Sequence, residues 1–338
     1  MSGNSGSVKE AKLVQVVRAS LKGVGLATDS MVLVGFSGGR DSTSLLAALR
    51  SILPNLQAVH VDHAVRVESA EDAVRVAELA ERIGVPLTVV RLDGDVISRH
   101  PGVGVEEALR RERYRVFADV ATAIGAEAVA LGHHEQDQAE TVLLHLLRGA
   151  GLSGVVGMRE FSTIDVPWWG ESSRMPLPIW RPFLDVSPDE LDSFVAGLGV
   201  SIVDDPSNED RRFRRNTIRH DVLPLLEQVS PGATGNLARF GSLVGDEDAF
   251  LESLAVAMLG EWESIARDLL LEQPMVVQRR MIRIWLKRHL GEVEVSRDRI
   301  EAVVTAAAER RGSKQIEIGG GWSVEVGRDV LTIVMGIR

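Results

Sequence analysis

The chain has 338 residues, a formal net charge of −10 and globular proportions, 45% hydrophobic and 25% charged, so about two domains with sizeable cores are expected. It contains no cysteine, which excludes disulfides, thiolate catalysis, zinc–cysteine sites and iron–sulfur clusters. The acidic balance argues against indiscriminate nucleic-acid binding, though it leaves room for local basic patches.

No apolar run approaches the roughly 18 residues of a membrane span. The opening MSGNSGSVKEAK lacks the apolar stretch of a signal peptide, so a cytoplasmic location is expected. Residues 1–6 have the composition of a disordered segment, and Val8 to Leu21 carry an amphipathic helical pattern. Met31 to Phe36 form a short apolar run that reads as a buried strand. It ends in Ser37-Gly38-Gly39-Arg40-Asp41-Ser42, and the helical pattern Leu45-Leu46-x-x-Leu49 follows at once. Strand, glycine turn and helix start together make an anion site. The glycines let the backbone approach a phosphate, and the free N–H groups of the helix N-terminus point at it. Asp41 is no phosphate ligand by itself and suits Mg²⁺ or the activation of a neighbour. The string is neither GxxxxGK[ST] nor GxGxxG, and on the glycines alone a turn without any ligand is the plainer reading.

Gln57 to Asp62 reads as a second strand, Ala70 to Ile83 as a helix stopped by Gly84, and Pro86 to Leu92 as a third strand. Val105 to Ile124 is a long helix ended by Gly125, Glu127 to Leu131 a fourth strand, and Gln136 to Arg148 the next helix. Apolar strands alternating with helices imply right-handed βαβ units. The expected class is therefore α/β, a Rossmann-like parallel sheet with helices on both faces. Ligands in such sheets sit at the carboxyl ends of the strands.

Three such ends carry reactive residues. The first is SGGRDS. The second is Asp62-His63, a pair more often structural than functional. The third is Gly132-His133-His134-Glu135-Gln136-Asp137-Gln138-Ala139-Glu140. Asp137 and Glu140 share a helix face at a spacing of three, and the two histidines suit metal or phosphate. A solvated acidic first turn would account for the carboxylates alone, but not for the histidine pair before them. On the long helix, Glu106, Arg110, Arg113 and Tyr114 also share a face, for which exposed salt bridging is the commoner explanation.

Gly149 to Gly157 reads as a mobile loop beside the site. Residues 160–180, with Trp168, Trp169 and Trp180 among prolines, read as a packed insertion, with a base-stacking surface as the weaker alternative. Ser187-Pro188-Asp189-Glu190 is a capped helix start. Asp204 to Arg219 is the one concentrated basic segment. Its Arg211, Arg212, Arg214, Arg215 and Arg219 outnumber the acids, and planar guanidinium forks suit phosphate. The proline-marked stretch from Pro224 to Gly232 then gives way to leucine-rich helical sequence. The expected domains are 24–225 and a smaller, mostly helical 226–338, with Arg279, Arg280, Arg283, Lys287 and Arg288 along one helix. Gln315 to Val334 closes it as a hairpin or meander.

SGGRDS resembles the pyrophosphatase loop of the N-type ATP pyrophosphatases. The succession SGGRDS, VDH, ExAxRxxRY, LGHHxxDQAETxLLxLLRGxG, RPFL, DDPSN and RNTIR resembles the tRNA(Ile)-lysidine synthetase family over roughly residues 31–225. That resemblance implies a ligase forming a carbon–nitrogen bond. ATP adenylates C2 of cytidine 34 in the CAU anticodon of tRNA(Ile), the ε-amine of free L-lysine attacks, and AMP and pyrophosphate are released. It implies ATP at Ser37, Gly38, Gly39, Arg40, Asp41, Ser42 and His133. It further implies Asp41 and Asp137 as Mg²⁺ or catalytic carboxylates, Glu106 and Glu140 orienting lysine or the adenylate, and tRNA on Arg211, Arg212, Arg214, Arg215 and Arg219. Gln136 departs from the family pattern, which often has aspartate there, and the C-terminal part is shorter than in longer members. The missing cysteines decide against the related tRNA thiolases. An ammonia-using amidating synthetase is the alternative for the loop alone, and the sequence leaves a homodimer open.

Overall fold

The computed structural model describes residues 5–63, 69–92, 96, 98–164, 176–203, 210–211, 213–261, 263–291, 295–309 and 313–335, with side chains from residue 12 onward. DDPSN, Arg212, Trp168, Trp169 and residues 1–4 lie outside these described residues. Two compact units are formed, Met1–Leu243 and Val244–Arg338.

In the first unit the chain order is α1 (Ser5–Gly23), β1 (Val32–Gly35), α2 (Arg40–Arg50), β2 (Leu56–Asp62), α3 (Ser69–Ile83), β3 (Leu87–Arg91), α4 (Val105–Ile124) and β4 (Ala128–Ala130). Then come α5 (Glu135–Leu147), α6 (Leu152–Val155), β5 (Phe161–Ile164), β6 (Leu177–Trp180), α7 (Pro188–Leu198), α8 (Arg214–Thr217), a π-helical turn at Ile218–Val222, α9 (Leu223–Val229) and the start of α10 (Ala233–Leu259). The sheet runs β3-β2-β1-β4-β6-β5, parallel throughout except for β5, which pairs antiparallel on the edge of β6.

Period-two alternation divides the strand side chains between two cores. Val32 and Val34 of β1 join α1, α2, α3 and α7 on one face, while Leu33 joins α4 on the other. Helices therefore cover both faces, as expected for a sheet whose strands are apolar runs. From β1 the chain builds outward to β3 and returns on the far side at β4. The strand order thus reverses between β1 and β4, and a ligand crevice opens at the carboxyl ends of two such strands.

The segment 160–180 corrects the expectation of an insertion. Its two ends are strands of the main sheet, with Ile179 and Trp180 opposite Val129 and Ala130 of β4. Pro178 and a length of only four residues hid β6, because a proline within a run argues against a ladder strand. Trp180 is wholly buried, and its indole N–H donates to Ser20 Oγ at 2.8 Å, so it is core and not a stacking surface.

The second unit contains β7 (Ile265–Ala266), α11 (Arg267–Leu271), α12 (Met275–Leu290), α13 (Arg297–Ala308), β8 (Lys314–Gly319), β9 (Trp322–Val326) and β10 (Val330–Met335). The foreseen meander is β8 to β10, and β7 adds an unforeseen fourth strand to this antiparallel sheet. Trp285, Met281, Val303, Val324 and Leu331 form its core.

Candidate functional site

The Ser37–Ser42 turn joins β1 to α2. Gly38 has φ +80°, and a Cβ there would press on Val76 Cγ2 at 2.8 Å, so only glycine fits. The main-chain N–H of Ser37 donates to Ser42 Oγ at 3.2 Å, and the Thr43 hydroxyl donates to the Gly38 carbonyl at 3.2 Å. The Val203 N–H donates to that same carbonyl at 2.9 Å. Gly39, the extended N-cap of α2, supplies no side-chain cap, which leaves the first-turn N–H groups available to an anion.

Arg40 Nε donates to Asp41 Oδ1 at 2.6 Å, and Arg40 Nη1 reaches Asp192 of α7 at 3.2 Å. Asp41 Oδ2 lies 3.5 Å from Nε2 of His134. Burial would raise the Asp41 pKa, but His134 and Arg40 outweigh it and hold the carboxyl below its ordinary range. His134 is the N-cap of α5 and wholly buried. Its Nδ1 accepts the Gln136 N–H at 3.2 Å, and its main-chain N–H donates to Asp137 Oδ2 at 3.0 Å. While Nδ1 accepts that bond, the neutral ring carries its proton on Nε2, facing the carboxylates. Burial pushes the His134 pKa down; Asp137 and Asp41 overcome it and the net direction is up.

Asp137 and Glu140 do share a face of α5, and the structure brings to it two arginines of the basic segment. Asp137 Oδ1 accepts from Arg215 Nη2 at 3.0 Å and from Arg219 Nη2 at 2.7 Å. Glu140 is fully buried; Oε2 accepts from Arg215 Nε at 2.6 Å and Oε1 from Arg219 Nε at 2.5 Å. Burial alone would raise the Asp137 pKa, but His134, Arg215 and their neighbours drive it well below the usual carboxylate range. Two buried carboxylates and two guanidiniums therefore neutralise each other, and breaking one side would cost about 3–5 kcal/mol.

On α4, Tyr114 is buried with Arg110 over its ring at 5.0 Å, and Arg110 also pairs with Glu107 at 3.5 Å. Glu106 and Arg113 are exposed. Burial together with Arg110 and Arg215 lowers the Arg113 pKa, which Tyr114 and Glu106 partly offset. His133 is close enough to feel Arg113. Burial pulls it down, Asp137 opposes, and Arg181, Arg215 and Arg113 reinforce burial, so its pKa falls to about 3 and the ring is neutral. Among the described residues its Nδ1 is buried without a partner, as is Nε of the buried Arg181.

The glycine-rich stretch after α5 is more ordered than its composition suggests. It contains α6, and its end is held by Gln138, whose amide donates to Met158 O at 2.8 Å and accepts from Met158 N at 2.7 Å. Asp62 at the second strand end is buried, with Arg91 Nε 3.7 Å away.

The fold thus gathers the Ser37–Ser42 turn, His133, Asp137, Glu140, Arg215 and Arg219, with Glu106 close enough to act on Arg215. Arg211 and Arg214 stay exposed, just before and at the start of α8. Sequence reasoning missed His134 as the link between Asp41 and Asp137, and also Gln138 and Arg181. Position directly after a strand was a usable signal for His134; nothing local marked the other two. Among the described residues no group of three or more His, Cys, Asp or Glu converges on a metal position. Asp41 nevertheless fits Mg²⁺, which commonly takes one or two carboxylates and completes its shell with water and phosphate oxygens. Asp137 fits less well, since both of its oxygens are already engaged.

Comparison with known proteins follows the two units. A model of the PP-loop domain matches residues 8–226, and a model of the TilS substrate binding domain matches residues 266–331. The tRNA(Ile)-lysidine synthase of Deinococcus deserti is 34% identical over 297 residues, covering 86% of this chain and 51% of the relative. That of Chromobacterium violaceum is 39% identical over 227 residues, covering 66% of this chain and 48% of the relative. The chain spans about half the length of these curated relatives. Among solved structures, the U34-tRNA thiolase NcsA from Methanococcus maripaludis, determined with its 4Fe-4S cluster, superposes with a TM-score of 0.55 at 18% identity. The match covers 70% of this chain and 78% of that one, a likeness of fold alone. Among the described residues no helix is long and apolar enough to cross a membrane.

Proposed function

The chain belongs to the PP-loop family of ATP-utilising domains, and on that premise we propose that it is a tRNA(Ile)-lysidine synthase. In this reading the C2 oxygen of cytidine 34 in a CAU anticodon attacks the α-phosphorus of ATP, and the α–β bridge breaks to release pyrophosphate. The lysine ε-amine then attacks C2, and AMP leaves. The observation that carries the reading is the union of an uncapped α2 N-terminus beside Asp41 with a C-terminal match to the TilS substrate binding domain. The same second match disfavours ammonia-using amidation, which the loop alone would allow.

The residues then divide the work. Backbone N–H groups of Gly38 to Ser42 receive the phosphates, and the charge that builds as pyrophosphate departs is met by donors already in place. Asp41 would hold Mg²⁺, which supplies charge neutralisation at the phosphates when bound. The lysine ammonium must shed a proton before it attacks. Glu106, an exposed carboxylate in the first turn of α4, is the acceptor assigned to take it. Arg211 and Arg214 are exposed and would contact the RNA backbone. These substrates place the reaction in the cytoplasm. Mass analysis of tRNA(Ile) bearing CAU tests the reading: incubation with both ATP and lysine should add one lysine less water, and omission of either should add no lysine. Addition of lysine without ATP, or none with both present, would overturn it.

A further inference from the structure

Glu140 accepts hydrogen bonds on both oxygens from Arg215 and Arg219 and has no exposed surface. No substrate atom reaches it while those bonds stand. The two arginines differ from it in this respect, since their side chains keep 31% and 25% of their exposure. Each spends Nε and Nη2 on Glu140 and Asp137. Among the described residues neither Nη1 has a hydrogen-bond partner, and neither counts among the buried unpaired atoms, so both remain accessible to solvent. His133, near enough to feel both Arg215 and Arg113, has a buried Nδ1 with no partner among the described residues, and Arg113 is exposed and makes no hydrogen bond or ion pair among them.

We infer that Glu140 is a positioning residue which, with Asp137, presets Arg215 and Arg219 as a clamp whose outward Nη1 donors take a phosphate group. A guanidinium with one edge pinned by carboxylates has already lost its rotamer freedom, so an anion on the other edge meets a donor that needs no further ordering. The carboxylates also offset the repulsion of two adjacent cations, which would otherwise splay apart. The chain of contacts from Asp41 through His134 and Asp137 sets the clamp beside the phosphate turn. Pyrophosphate leaving ATP and the backbone of bound RNA share the chemistry the clamp recognises. The inference rests on the proposed reaction only in naming those two sources, and it is testable without turnover.

The experiment is isothermal titration of the full chain with sodium pyrophosphate and, separately, with an anticodon stem-loop RNA lacking any nucleotide partner. Arg215→Lys combined with Arg219→Lys keeps the charge and removes the pinned fork. Pyrophosphate affinity is expected to fall at least tenfold in that variant, and at least threefold in Glu140→Gln, with both still melting cooperatively. A role in structure alone would lower the melting temperature and leave the affinity of the folded protein untouched. A tenfold loss for RNA with pyrophosphate unchanged supports the clamp and assigns the phosphate to the RNA. Changes below twofold with both probes overturn the proposal. Should either variant fail to melt cooperatively, phenylglyoxal labelling of the unaltered chain replaces it. Protection of Arg215 and Arg219 by pyrophosphate or RNA supports the clamp, and labelling that neither probe slows overturns it. None of these readings depends on lysine transfer, so loss of the clamp and loss of the enzymatic reading are separable.

Discussion

The Cβ that Gly132 lacks would stand 2.9 Å from the main-chain oxygen of Asp41 and 3.0 Å from its carbonyl carbon. The turn after β4 and the first turn of α2 therefore approach more closely than a side chain permits, and that approach sets His134 next to Asp41. Gly132→Ala should displace backbone on one side or the other. We expect a loss of about 1–3 kcal/mol of stability, the usual cost of overpacking, together with weaker ATP binding. Gly197→Ala on the exposed face of α7, where a Cβ meets nothing within 4 Å, should instead stabilise by about 0.5–1 kcal/mol. Denaturant titration and ATP binding of the two variants check the contrast, and equal behaviour would refute it.

Gln138 is buried and uses both ends of its amide on the main chain of Met158. Gly157 has φ +73° and leaves no room for a Cβ, which would lie 2.8 Å from Gln138 Oε1. Gln138→Leu strands a peptide N–H and a carbonyl that had been paired, at a cost of about 1–3 kcal/mol. Amide hydrogen exchange should report the loss locally, fastest at Met158. Protection there equal to that of the unaltered chain would show that the clamp holds nothing.

Much of this architecture was legible because it is written in local period. The run Val32 to Val34, the acidic helix stopped by Gly84, and the long helix closed by the left-handed Gly125 each follow from near neighbours in sequence. Ser187 and Glu190 form the capping box their spacing announces. What was hidden depends on groups distant in the chain. Arg215 reads as part of a charge run, yet its partner Glu140 lies 75 positions away, and no periodicity encodes that pairing. Gly132 looks like any loop glycine until α2 is packed against it. Strand β6 was concealed by Pro178, whose ring usually marks a sheet's exclusion.

His133 gives a pH dependence of definite sign. Its ordinary value is 6.5 and its folded value about 3, so between these limits the unfolded chain binds the extra proton. Stability from this residue is complete above pH 6.5 and falls as acid is added, by up to about 1.4 kcal/mol per pH unit. His134 runs the other way: its raised pKa adds stability below its unfolded value that is lost as pH rises through the folded one. The lowered values of Asp41 and Asp137 act only at more acidic pH. His133→Gln should therefore flatten the acid limb and spare about 2 kcal/mol between pH 6.5 and 4.5. Urea titrations across that window decide the matter, and parallel curves would exclude it.

Asp41→Ala should abolish ATP-dependent turnover while leaving the fold intact. Its carboxylate is a third exposed and its bond to Arg40 lies near the surface, so removal should cost no more than about 1 kcal/mol. Turnover and a thermal melt on the same preparation separate the two effects. Undiminished activity would remove Asp41 from the mechanism.

Arg211 and Arg214 differ from Arg215 and Arg219 in a way that RNA binding should expose. Arg214 is exposed, and among the described residues it pairs with no carboxylate; Arg211 is exposed and only 3.6 Å from Asp221 Oδ1 at its nearest acid. Arg211 holds only the long contacts to Asp221 Oδ1 and, at 3.4 Å, to the Asn216 carbonyl, so both arginines can turn to a phosphate backbone, and each phosphate they neutralise releases a counterion. Arg211→Ala with Arg214→Ala should weaken tRNA binding uniformly across sequences and reduce the slope of log affinity against log salt by about one per lost contact. Stability should stay within about 0.5 kcal/mol, as for other exposed positions. The inner pair should show the reverse balance, because removing either arginine leaves a buried carboxylate uncompensated and costs stability before it costs RNA. Binding curves at several salt concentrations, read beside melting curves for each pair, distinguish the two. A salt slope unmoved by the outer pair would take the RNA path away from α8.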